Sequence, residues 1–149
     1  MKMSKRVSYG IMAAIDLAIH AKDAPIQAKA VSRRQGIPLR FLEQVLHTMK
    51  NAGLVESHRG AQGGYLLSRK PADLSLAEIF ESLEGPVFHR LGVNPSPRQR
   101  QMGKPDLLLE DICEQLQRAE RKVLESITIE QLAARQRLED AQRSPMYHI

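Results

Sequence analysis

Val7, Ile11, Ala14, Ile15 and Ala18 recur three and four positions apart, the spacing that gathers apolar side chains on one face of a helix. The run from Lys22 to Pro25 stops that helix. Pro25 to Gln27 reads as a short extended link. Ala28 to Gln35 reads as a brief helix closed by Gly36, a residue at ease in the left-handed conformation that ends helices. Pro38 suits the first position of a new helix, where its missing N–H is not needed, and that helix runs to about Ala52 before Gly53 ends it. Two helices across a tight glycine-containing turn predict a helix-turn-helix.

Leu54 to Arg59 and Tyr65 to Ser68 are short strand-like runs, joined by the glycine-rich segment Gly60 to Gly64. Such a connection predicts a β-hairpin with a mobile tip, and its place directly after the second helix makes it a wing. Ser75 and Glu78 have capping-box spacing at the start of a further helix, whose apolar stripe is Leu76, Ile79, Phe80 and Leu83. From Pro86 to Pro105 the chain is rich in proline and glycine without periodicity, and a flexible solvated loop is expected. Leu109, Ile112, Leu116, Ala119 and Val123 then alternate by three and four, a heptad-like seam that calls for one partner helix, in a second copy or within the same chain. Thr128 and Gln131 repeat the capping-box spacing, and the last helix is expected to fray after about Gln136.

The fold class implied is mainly α with a small β-hairpin wing. A winged helix-turn-helix domain spans 1–84, a basic loop of effector-binding type 85–105, dimerisation helices 106–140 and a tail 141–149.

Composition narrows the setting. The 149 residues are 42% apolar, enough for a core without staples, and the single cysteine, Cys113, excludes an intramolecular disulfide framework and any all-cysteine metal site. A reducing, cytoplasmic compartment follows. Asp16 and His20 interrupt the apolar stretch Val7 to Ala21, so it reads as an amphipathic helix, not as a signal peptide or membrane span. The net charge is +5 and unevenly spread: residues 1–71 hold 12 Lys and Arg against 4 Asp and Glu, while residues 72–149 hold 10 against 13. A phosphate-facing module joined to a neutral association module shows this segregation.

The helix from Pro38 has two separate faces. Leu42, Val45, Leu46 and Met49 form the inner one; Arg40, Glu43, Gln44 and His47 share the other, with Lys50 close by. Arg can pair with guanine, Gln with adenine and Glu with the amino group of cytosine. Pro38 and Leu39, which open this helix, count among the candidate contacts. In the wing, Arg59 leads into Gly60, Gln62, Gly63 and Gly64, where a cation and a bare backbone suit a narrow groove. Lys2, Lys5, Arg6, Lys29, Arg33 and Arg34 could add phosphate contacts. No catalytic constellation occurs: the five histidines are scattered, and there is neither a Gly-x-Ser-x-Gly elbow nor a phosphate-binding Gly-Lys loop. Cys113 reads as a small buried hydrophobe.

The order of motifs resembles the winged-helix regulators typified by IscR, NsrR and CymR, the Rrf-two type. The resemblance runs from about Met3 to Ala133 and is carried by Phe41-Leu-Glu-Gln44, Ala52-Gly-Leu-Val55, the wing Arg59-Gly-Ala-Gln-Gly-Gly-Tyr65 and Leu83-Glu-Gly-Pro86. It implies a homodimeric regulator, not an enzyme, on an imperfect palindrome in double-stranded promoter DNA. Glu43 and Gln44 would lie in the major groove, Arg59 and the following glycines in the minor groove, and Gln27 to Lys29 near phosphate. Repression is the expected sense of regulation.

Iron–sulfur members of that family resemble one another in carrying three cysteines in the loop that here spans Pro86 to Pro105, and this loop has none. No cofactor is therefore expected; Cys113 with His89 is the one remaining route to an atypical cluster. The loop carries Arg90, Arg98, Arg100 and Lys104 and could bind a small-molecule or protein effector. Two rival readings remain: a winged-helix protein-interaction scaffold without specific DNA binding, and a regulator that senses metal through unusual ligands.

Overall fold

The computed structural model describes residues 3–85, 96–103 and 107–144. Its spine is α1, Lys5–His20, capped by Ser4, whose Oγ accepts the Val7 N–H at 3.3 Å. Small residues on its inner side, Ala13 and Ala14, are fully buried with Val7 and Leu17, and let four other helices pack against it.

Helix α2, Ala28–Gln35, ends at Gly36, whose φ of 66° is the left-handed conformation the sequence called for. Helix α3, Leu39–Asn51, buries Leu42, Val45, Leu46 and Met49 against α1 and the helix Leu76–Glu84. Each such side chain contributes about 1.5–3 kcal/mol by leaving water. Tyr9 of α1 meets Phe41 of α3 edge to face, with ring centroids 5.3 Å apart.

The wing is an antiparallel pair, β1 Val55–His58 and β2 Gly64–Leu67, with Val55 opposite Leu67 and His58 opposite Gly64. A short 3-10 turn at Pro71–Asp73 leads to α4, Leu76–Glu84. Its capping box is reciprocal: Ser75 Oγ accepts the Glu78 N–H at 3.4 Å and Glu78 Oε2 accepts the Ser75 N–H at 3.0 Å.

Beyond α4 come α5, Pro97–Gln101, then α6, Leu107–Ser126, and α7, Ile129–Arg143. Thr128 caps α7 through the second expected capping box. The two caps lie back to back: the Leu76 N–H donates to Ile127 O and the Ile129 N–H to Leu74 O, both at 2.9 Å. Ile129 and Ala133 are fully buried and belong to the same core as α1 and α4.

Several boundaries differ from the sequence reading. Pro38 is the cap residue of α3 and not its first helical residue, because its ψ of 128° is extended. Residue Ile26, read as a plain link, pairs with Tyr65 and adds a rung to the base of the wing. The basic loop contains α5, held by a capping box between Ser96 and Gln99 with Pro97 in the first turn. Helix α7 runs on to Arg143 instead of fraying after Gln136; Gln136 Nε2 donates to Asp140 Oδ1 at 3.0 Å, a local link of the i,i+4 kind. Cys113 is half-buried, not fully enclosed. His89, Arg90, Lys104, Lys2 and the tail from 145 onward lie outside the described residues.

Candidate nucleic-acid interface

Helix α3 turns its apolar face inward, so its opposite face is free. Arg40, Gln44, His47 and Asn51 follow one another at i, i+4, i+7 and i+11, all exposed, and form the line farthest from the core. Glu43 and Lys50, also exposed, flank this line on one side; Leu39 is half-buried and Pro38 exposed at the start. Asn51 was not among the residues singled out in the sequence. Its place at the last position of the helix hid it, although its spacing from His47 could have found it. Its Nδ2 lies 3.2 Å from His47 Nε2, so the amide can donate to the ring and orient it.

Beside α3 stands the wing. Arg59, Gly60 and Gln62 are exposed at its tip, whereas Gly63 is buried and donates its N–H to Gly60 O at 2.9 Å, closing the turn. A side chain at Gly63 would collide with His58 O. Gly64 is pressed against the backbone of Ile26 and Gln27. Those two glycines are thus accounted for by the protein's own close approaches.

Between the wing and the start of α2 lies an open groove of about 430 Å³, lined by Gln27, Ala28, His58, Arg59 and Gly60 among others. Gln27 is the cap residue of α2 but makes no capping bond with its side chain, and no acid sits in the first turn. The positive pole of that helix therefore faces the groove uncompensated, with Lys29 exposed beside it.

Of the basic residues considered for phosphate contact, Lys5, Arg6, Lys29 and Arg33 are exposed. Arg6 Nη2 reaches Thr48 Oγ1 of α3 at 3.5 Å. Arg34 is engaged elsewhere: its guanidinium grips the buried Asp16.

The seam residues of α6 lie open. Leu109, Ile112, Leu116 and Val123 are between 43% and 56% exposed, so this chain's own helices do not cover them. Ala119 is exposed among them, and Leu108 at 71% extends the patch. The less exposed stripe of the same helix is Cys113, Gln117, Glu120 and Leu124, and α6 packs on α4.

A helix-turn-helix whose second helix presents an unobstructed polar face next to a glycine-tipped hairpin is a winged-helix DNA-binding module. Its class is that of transcription regulators. The chain belongs to the Rrf2 family, whose model, described as an iron-dependent transcriptional regulator, matches residues 3–135. It is 31% identical over 135 residues to the HTH-type transcriptional regulator CymR of Bacillus subtilis, covering 90% of this chain and 91% of that one. The solved structure of B. subtilis CymR, titled the global cysteine regulator of that organism, superposes with a TM-score of 0.72 at 31% identity, over 90% of this chain and 97% of CymR. The structure of T. potens IscR gives 0.70 at 33% identity, over 97% and 90%. No helix among the described residues is long and apolar enough to cross a membrane.

The family description mentions iron. Cys113 is the chain's one cysteine, and cluster irons require several thiolates. Among the described residues no three His, Cys, Asp or Glu side chains converge on a possible metal position.

Proposed function

We propose that this regulator acts as a homodimeric repressor on a palindromic promoter site, using no cofactor, catalysing no reaction and working in the cytoplasm. The observation that carries the reading is the pairing of two exposed lines: a polar one on α3 and an apolar one on α6. Covering the α6 seam with a second copy removes that apolar patch from water. It also duplicates the α3 face about a two-fold axis, and a palindrome mirrors that symmetry in half-sites about 34–36 Å apart.

In this reading Arg40, Gln44 and His47, with Glu43 alongside, meet base edges in the major groove, and Arg59 reaches the minor groove beside Gly60 and Gln62. Gln27 and Lys29 at the open start of α2, and Lys50 on the flank of α3, hold phosphates. The segment between α4 and α6, with Arg98 and Arg100 exposed on α5, is where an anionic effector or partner protein would act.

Selection of bound duplexes from a random pool, combined with sedimentation of the free protein, tests this. A palindromic consensus and a two-chain particle are expected. A single-chain particle, or binding indifferent to sequence, would overturn it.

A further inference from the structure

Asp16 is a charged side chain among alanines and leucines. It is fully buried on α1, between Ala13, Ala14 and Leu17 in sequence. Its Oδ1 accepts a hydrogen bond from Arg34 Nη2 at 2.7 Å; its Oδ2 accepts from Arg34 Nε and Gln35 Nε2, both at 2.9 Å. The guanidinium thus meets the carboxylate as a two-pronged fork, the most directional ion pair available to side chains. The Asp16 hydrogen bond raises the Arg34 pKa above its ordinary value.

Such a pair is a poor way to gain stability, since apolar residues of similar volume commonly do as well or better. What it supplies is direction. Arg34 and Gln35 are the last two residues of α2, directly before the left-handed Gly36. One turn earlier, Ser32 Oγ donates to Ile37 O at 2.6 Å, across the turn into α3. Asp16 therefore fixes the end of α2 against α1, and Ser32 fixes the way out of it. A helix of 13 residues is about 20 Å long, and tilting it by about 10° moves its far end by about 3 Å. Base contacts tolerate about 0.5 Å.

We infer that Asp16 is a positioning residue for DNA readout, whose buried carboxylate orients α2 and α3 through Arg34 and Gln35 and keeps the Arg34 cation off the DNA phosphates. This rests on the reading of α3 as the recognition helix. Releasing the clamp costs discrimination first, because readout depends on angle while phosphate binding depends on charge.

The test is competition binding of the full-length chain to a selected operator and to random duplex, over a range of salt, with thermal unfolding in parallel. Asp16→Asn should lower the operator-to-random affinity ratio at least tenfold. It should also steepen the salt dependence of random-duplex binding by about one unit as Arg34 becomes a phosphate contact. Arg34→Lys, which keeps the charge but not the fork, guards against an Asp16 variant that does not fold; its ratio should fall by about threefold or more. A folded Arg34→Lys or Asp16→Asn protein with a ratio within twofold of the parent, and an unchanged salt slope, overturns the inference. Gln44→Ala in the same assay separates the two claims: if it leaves the ratio unchanged, the assignment of α3 as reader has failed, whatever the Asp16 variants do.

Discussion

Ile26 and Tyr65 exchange both of their backbone hydrogen bonds: the Ile26 N–H donates to Tyr65 O at 3.0 Å and the Tyr65 N–H to Ile26 O at 2.7 Å. The link into α2 is thereby fastened to the wing, and the two parts of the surface flanking α3 are fixed relative to each other. The fastening demands a bare backbone next door. At Gly64 the φ is 148°, and a Cβ would overlap the Ile26 carbonyl and stand 2.8 Å from the Gln27 nitrogen. Gly64→Ala should therefore lower stability by about 2–4 kcal/mol, from backbone strain and overpacking together. Urea unfolding measures this. Gly60→Ala, in open space, should cost only about 1–2 kcal/mol for its positive φ.

Substitutions on the α3 side and on its flanks should divide into two kinds. Gln44→Ala or Arg40→Ala should relax preference at one base position by about 1–3 kcal/mol. Asn51→Ala should do the same if its amide orients His47 for contact. Lys29→Ala or Lys50→Ala should weaken all duplexes alike and reduce the salt slope by about one. Anisotropy titrations on the operator and on single-base variants of it distinguish the classes. Identical behaviour of both kinds on every sequence would refute the division.

The α6 seam gives a test that does not involve DNA. Leu116 is 53% exposed, so Leu116→Asp should leave the fold of one chain within about 0.5 kcal/mol of the parent. In a dimer the same change buries a carboxylate in an apolar seam. Sedimentation should then show single chains, and operator binding should become weaker and concentration-dependent.

Much of this architecture could be read from local signals. Both long capping boxes stand in the sequence as Ser75 with Glu78 and Thr128 with Gln131, because a cap is made within four residues. The same signal was present at Ser96 and Gln99, but the proline and glycine around it concealed α5. The end of α7 was misjudged because apolar periodicity stops near Gln136, while good helix formers and the Gln136–Asp140 bond carry the helix on. The engagement of Arg34 was not legible at all: its partner lies 18 positions earlier, and only the packing of α2 on α1 brings them together. Likewise the alternation of three and four in α6 marked an apolar stripe but could not say whether the chain itself covered it; the answer lies in the way α6 turns Leu124 toward α4.

Caps can be weighed individually. Ser75→Ala removes the acceptor for the Glu78 N–H and should cost about 0.5–2 kcal/mol. Thr128→Ala should cost a similar amount. Because the two caps are joined through Leu76–Ile127 and Ile129–Leu74 hydrogen bonds, the double variant should depart from additivity, and a thermal-unfolding cycle reads the departure directly.

The chain's last long helix is also a keystone for its first. Ile129 and Ala133 are fully buried on the helix that packs on α1, and the strand-like clasp at Leu74 is made with Ile127 and Ile129. The DNA-binding half is therefore not a cassette that can be cut out at Gly85 and grafted to another protein: such a fragment would carry a hollow where the closing helix belongs. A working transplant would have to bring the far end of the sequence with it.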